Sequence, residues 1–153
     1  MSTEAEEVRI VSAEREIAAP ASVIFELIAD PAQQPRWDGN DNLAEAGLDQ
    51  RVRAVGDVFT MTLTNGHVRD NHVEEFTEGR LLAWRPSEPG KQPPGHLWRW
   101  EVEALDDGRA LVRHTYDWSR LTDENRLPRA RATTSDKLAA SIERLAELAE
   151  RQA

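Results

Sequence analysis

Two pairs of polar residues in this chain have the spacing and the side chains for proton chemistry. Asp70 and His72 lie two apart in a run of strand-forming residues, so on a strand they share a face. A carboxylate beside an imidazole is a minimal acid/base pair. His114 and Tyr116 have the same spacing, and a ring nitrogen with a phenol can orient a polar group on an otherwise apolar ligand. Both pairs also have a plain structural reading, because a buried imidazole, carboxylate or phenol needs hydrogen-bond partners with or without a ligand. No nucleophile or metal pattern accompanies either pair. Asp70 and His72 are therefore weighted towards a structural or ligand-orienting network over catalysis, and no catalytic residue is assigned.

The histidines, His67, His72, His96 and His114, invite a metal reading, and spacing argues against it. His67 and His72 point to opposite faces of one strand, and His72 and His114 lie about three strands, roughly 14 Å, apart. Shared ligation fails at that distance, so neither a metal nor a cofactor is expected. Of nine aromatic residues five are Trp, and their placement is informative. Trp98 and Trp100 lie on one strand face, and two indoles cannot both be filled against by small residues such as Ala132 and Thr133. Either a helix sits close over them or a void remains. Trp37, Trp84 and Trp118 read as packing, with Trp37 also placed to close one end of a cavity.

The elements that must hold these residues follow from periodicity. Val8–Ile17 is expected to be a strand. Pro20 opens a helix carrying Val23, Ile24, Leu27 and Ile28, and Asp30-Pro31 ends it. A second short helix leads to Trp37, and a short strand is expected near Leu43–Ala46. Phe59, Met61 and Leu63 alternate with threonines, the pattern of a half-buried strand, and Asn65-Gly66 signals a two-residue hairpin. That turn sets Leu63 opposite Val68, Met61 opposite Asp70 and Phe59 opposite His72. Leu81–Trp84 forms the next strand, with Trp84 or Arg85 opposite His72, and the Pro/Gly-rich stretch 88–95 is a loop.

The last hairpin is the most tightly specified. Leu97–Leu105 and Arg109–Trp118 flank Asp106-Asp107-Gly108, a three-residue turn. The register puts Trp98 opposite Tyr116, Trp100 opposite His114 and Val102 opposite Val112 on one face, and Glu101 with Arg113 and Arg99 with Thr115 on the other. From Pro128 to Arg151 a single helix of about 35 Å is expected. Leu138, Ile142, Leu145 and Ala149 form its stripe, and small residues (Ala130, Ala132, Thr133, Thr134, Ser135) at its first end leave space beneath them.

At 153 residues and 17.3 kDa one domain is expected, with 1–7 a loose tail. Cysteine is absent and the net charge is −9, which excludes disulfides and thiolate chemistry and disfavours nucleic-acid phosphates and anionic membranes. The acidic MSTEAEEVRI start is unlike a secretory signal and no apolar run approaches roughly 20 residues, so a cytoplasmic protein is expected. A second copy of the chain is an admissible partner.

A strand, two short helices, an antiparallel meander and a closing helix make an α+β layout. Within it, IAAPASVIFELIADP (residues 17–31), Pro35-Arg36-Trp37, Val55-Gly56-Asp57 and HVEEFTEGRLLAWRP (72–86) resemble the START-like (SRPBCC) superfamily, which includes polyketide cyclase/dehydrase-like ligand-binding proteins. The resemblance covers about Val11 to Leu148. It implies the helix-grip fold: a curved antiparallel sheet of about six or seven strands around a long C-terminal helix, with a cavity for a hydrophobic or aromatic small molecule, lipid- or polyketide-like. Phe59, Met61, Leu63, Trp98, Trp100 and Val112 would wall it, and Asp70, His72, His114 and Tyr116 would orient the ligand. The alternative is a cyclase, aromatase or dehydratase using acid/base residues there. An interaction module on the sheet's outer face finds no apolar patch among Thr60, Thr62, Thr64, Arg69 and Asn71.

Overall fold

The computed structural model describes residues 7–106 and 108–153. The expected loose tail therefore lies outside the described residues, except for Glu7, which pairs with Arg131 at 2.5 Å. Seven antiparallel strands form one sheet in the order β1-β7-β6-β5-β4-β3-β2: β1 (Ile10–Ile17), β2 (Leu43–Glu45), β3 (Val58–Leu63), β4 (Val68–Thr77), β5 (Leu81–Ser87), β6 (Leu97–Asp106) and β7 (Arg109–Asp117). The helices are α1 (Ala21–Ala29), α2 (Gln34–Trp37), α3 (Leu127–Ala132) and α4 (Ser135–Gln152). Pro20 starts α1 by offering its carbonyl to Val23 and Ile24. Asp30 ends that helix, and its carboxylate accepts from the Ala32 amide to start the next turn.

The β6–β7 hairpin has the expected register from Leu97 to Ala104, with Trp98 opposite Tyr116 and Trp100 opposite His114; next to the turn it shifts by one, and Asp106 rather than Leu105 opposes Arg109. The β3–β4 hairpin does not. Leu63 N–H donates to the His67 carbonyl and Gly66 N–H to that of Leu63, with Gly66 at φ 87°. The loop is thus three residues, Thr64-Asn65-Gly66, with glycine in the left-handed position. One extra loop residue shifts the register by one and reverses the faces. Met61 opposes Arg69 and Phe59 opposes Asn71, while Asp70 and His72 oppose Thr60 and Val58.

The expected single C-terminal helix is two. Thr133 (φ −82°, ψ 99°) and Thr134 (φ −100°, ψ 166°) are extended between α3 and α4. Consecutive β-branched residues are poor helix formers. Thr133 Oγ1 turns back to the Arg129 carbonyl, and Thr134 begins α4 by offering its own carbonyl to Lys137 and Leu138.

The core is unevenly distributed. The C-terminal half of α4 (Ile142, Leu145, Ala146, Ala149) packs with α1 (Ile24, Phe25, Ile28) against Ile17, Leu82, Val102 and Val112. Leu138 and Ala130 belong to a smaller cluster with Tyr116, Trp118 and Leu121. Between the two clusters the sheet is not filled.

Candidate functional site

The unfilled region is a cavity of about 350 Å³. Its floor is the inner face of β3–β7, its roof is formed by α3 and α4, and α2 with the loop to β2 closes one end. Period-two alternation on β6 and β7 sends Trp98, Trp100, His114 and Tyr116 into it, and His96, one residue before β6, lines it beside them. Trp84 and Pro86 reach it from β5, Met61 and Leu63 from β3, and Arg69 and Asn71 from β4.

The aromatic floor is stacked. The His114 imidazole lies 3.8 Å from the Trp100 ring at 12° and 5.5 Å from the Trp98 ring at 18°, a sandwich between two indoles. Tyr116 leans on Trp98 at 4.3 Å, and Trp37 meets Trp100 edge-on at 5.0 Å. Trp37 is itself fixed by donating Nε1–H to the Leu27 carbonyl at 2.8 Å. Trp100 is thus enclosed between His114 and Trp37, whereas Trp98 is only partly buried and presents part of its ring to the cavity.

Burial sets the protonation of the polar groups. His114 is held neutral, its pKa pushed down to about 3 by desolvation, which outweighs the opposing effect of its bond to the Arg99 carbonyl. Because a carbonyl only accepts, Nδ1 carries the proton in that 3.0 Å bond and Nε2 is left as an acceptor. Desolvation pushes the His96 pKa down to about 4, helped by the charges of Arg126, Arg69, Arg85 and Arg129. It pushes the Tyr116 phenol up to about 12 against the pull of Arg129 and Arg126. Two buried polar atoms in the lining have no partner among the described residues, Trp100 Nε1 and His96 Nδ1.

Of the residues expected to form the site, Met61, Leu63, Trp98, Trp100, His114 and Tyr116 line the cavity. Phe59 and Val112 are corrections: both belong to the packed core, Phe59 edge-on to Trp84 at 5.3 Å and Val112 beneath the filled half of the sheet. Asp70 and His72 are corrected too, because the one-residue register shift puts them on the opposite face. There Thr60 Oγ1 donates to Asp70 Oδ1 at 3.3 Å, and Ser87 donates to the Asp70 carbonyl at 3.3 Å. His72 Nε2 lies 3.0 Å from Ser87 Oγ, so Asp70 and His72 do not form an acid/base pair.

Sequence reasoning missed Arg69, Asn71, Trp84, His96, Arg126 and Arg129. His96 was accessible, since it shares its parity with Trp98 and Trp100; Arg69 and Asn71 were hidden by the turn length. Among the described residues no group of three or more His, Cys, Asp or Glu is placed to hold a metal, and no helix is long and apolar enough to cross a membrane.

An antiparallel sheet gripping a C-terminal helix over an aromatic cavity defines the helix-grip, START-like class. Within it, the chain belongs to the family described as polyketide cyclase/dehydrase and lipid transport, whose model matches residues 9–150. An uncharacterised protein of Mycobacterium tuberculosis, Rv0088, is 31% identical over 111 residues, covering 71% of this chain and 47% of its own, so the chain spans about half of that relative's length. In fold, it is similar to a START superfamily protein from Mycobacterium smegmatis (TM-score 0.64, 15% identity, 94% of this chain and 99% of that one). It is also similar to norcoclaurine synthase from Thalictrum flavum in complex with dopamine and hydroxybenzaldehyde (TM-score 0.61, 16% identity, 100% and 96%).

Proposed function

We propose that this chain binds an aromatic or otherwise hydrophobic small molecule, lipid- or polyketide-like, in the cavity between the sheet and the α3–α4 roof. The observation that carries this reading is an indole-lined space of about 350 Å³ with buried polar atoms in its wall that have no partner among the described residues. Ligand pockets run from roughly 300 to 1,000 Å³, and protein interiors otherwise close such voids. Met61, Leu63, Trp98 and Trp100 would contact the body of the ligand. Trp100 Nε1, His114 Nε2 and Tyr116 would orient its polar groups. The family's description supports this reading, and the norcoclaurine synthase complex indicates that the fold accommodates aromatic molecules.

The rival reading, a cyclase, aromatase or dehydratase, draws on the same description and on His114 and Tyr116 lining one wall. It is weaker, because an imidazole with a pKa near 3 is a poor base and a phenol near 12 a poor acid at neutral pH. Mass spectrometry of protein released from native purification, followed by thermal shifts with fatty acids, sterols and aromatic polyketides, tests binding. A co-purifying apolar molecule or a saturable shift is expected. No bound molecule and no shift from any class would overturn it, and turnover of a polyketide abolished by His114→Ala in folded protein would favour the enzyme.

A further inference from the structure

The lining of the cavity has a charge opposite to that of the whole molecule. The chain carries −9, yet the cavity is lined by Arg69, Arg126, Arg129 and Lys137 against one carboxylate, Asp38. Asp38 is already engaged, accepting backbone N–H bonds from Asn40, Asn42 and Leu43 at 3.1, 2.6 and 2.8 Å. The cations are much less so. Arg126 pairs with Asp123 at 3.2 Å and approaches Glu88 at 3.9 Å. Among the described residues, Arg69, Arg129 and Lys137 make no ion pair.

Several arginines outside the cavity are paired, Arg51 with Glu26 and Glu78, Arg99 with Glu75, Arg109 with Glu16 and Arg113 with Glu14, whereas others on the surface, such as Arg53 and Arg80, are exposed to solvent, where water takes the place of a carboxylate. Acidic residues are plentiful, yet around the cavity cations Asp123 and Glu88 meet Arg126 alone, and Arg69, Arg129 and Lys137 pair with none among the described residues. Arg69 is half-buried, and among the described residues its guanidinium makes one hydrogen bond, to the Val68 carbonyl at 3.0 Å. Desolvation, with repulsion from Arg126 and Arg129, outweighs the pull of Glu88 and holds its pKa below the usual arginine range. Like charges gathered in a partly desolvated cleft are unfavourable until an anion joins them. Independently, Trp100 is fully buried in the lining and its Nε1–H donor has no acceptor among the described residues. Both observations indicate donors awaiting a ligand's oxygen atoms.

We infer that the molecule held in this cavity carries an oxyanion, a carboxylate or a phosphate ester, on an apolar or aromatic body. The anion sits against Arg69, Arg126 and Arg129, and the body lies over Trp98 and Trp100. This rests on the reading of the cavity as a small-molecule site and adds the ligand's charge. A planar guanidinium fork suits both headgroups, so the experiment separates them.

Calorimetric or tryptophan-fluorescence titrations with 2-naphthoate, 2-naphthyl phosphate and neutral 2-naphthamide test the inference on the intact chain. At least one anion is expected to bind about tenfold or more tighter than the amide, the scale of one charge-assisted hydrogen bond. That preference should shrink with added salt and in Arg69→Gln and Arg129→Gln. It should persist in Arg131→Gln, which removes the same charge from α3 outside the cavity. The ratio of naphthoate to naphthyl phosphate affinity identifies the headgroup. Amide binding as tight as both anions, or equal loss of preference in Arg131→Gln, overturns the inference and leaves the cavity as a binding site. Should none of the three probes, nor the fatty acids, sterols and polyketides, bind, both readings fall. The wild-type comparison and its salt dependence decide the matter even where a variant misfolds.

Discussion

At the scale of single residues, burial rather than residue type decides what the polar groups can do. His114 is of a type that takes up a proton near neutral pH and Tyr116 of one that loses its proton near pH 10, yet in this sheet floor desolvation pushes the first pKa down and the second up. A histidine whose folded pKa is depressed stabilises the fold least where the unfolded chain gains a proton that the folded one refuses. For His114 and His96, stability is full above the unfolded value of about 6.5 and is lost as pH falls towards their folded values near 3 and 4. From pH 7 to pH 5 the unfolding free energy should drop by about 2 kcal/mol for each, about 4 kcal/mol together. Urea denaturation at the two pH values reads this, and His114→Phe should remove about half of the drop; a flat profile would refute the buried, neutral assignment.

At the scale of elements, turns and close approaches set the site. The segment after α2 fastens the roof: Gly39 N–H donates to Ser141 Oγ at 3.1 Å, Asn40 Nδ2 to the Lys137 carbonyl at 2.8 Å, and Arg144 Nη1 to the Asp38 carbonyl at 3.1 Å. A Cβ on Gly39 would overlap the backbone carbonyl of Ala140 in α4. Gly39→Ala should therefore lower stability by about 1–3 kcal/mol, measured by chemical denaturation. Gly47→Ala, where a Cβ meets nothing nearer than 3.8 Å, should be close to neutral. Equal stabilities would mean that α4 does not depend on this approach. Element geometry also explains what was legible in advance. The β6–β7 register could be read because turn length and face character agreed, whereas Asn65-Gly66 allowed a two- or a three-residue loop. Thr-rich alternation on β3 looks the same in either register, so nothing local revealed that Arg69 and Asn71, rather than Asp70 and His72, share the face of Met61.

At the scale of the molecule, stability and function occupy different halves. The main core lies beneath α1 and the C-terminal half of α4, and the cavity lies beneath α3 and the start of α4. Of α3 only Ala130 is buried, whereas α4 buries Leu138, Ser141, Ile142, Leu145, Ala146 and Ala149. The extended Thr133-Thr134 joint uncouples them, so α3 can open locally while α4 opens only with the whole fold. Amide hydrogen exchange should be about a hundredfold or more faster in Ala130–Thr133 than in Ile142–Ala149. Comparable protection in both would mean that α3 and α4 behave as one rigid roof.

The sequence by itself determined the order of elements, the helix-grip class and the aromatic wall of Trp98, Trp100, His114 and Tyr116. The order of elements and the wall are written in local periodicity and in a turn whose length matches its flanking faces, and the class in the resemblance of motifs such as IAAPASVIFELIADP to the START-like superfamily. Only the tertiary structure decided which way β4 faces, that the closing helix is broken at Thr133-Thr134, and that unpaired arginines from β4 and α3 converge on one cavity. The reason is physical. A one-residue choice of loop reverses a whole strand at little local cost. Charges far apart in the chain acquire their meaning only when folding brings them to the same cavity.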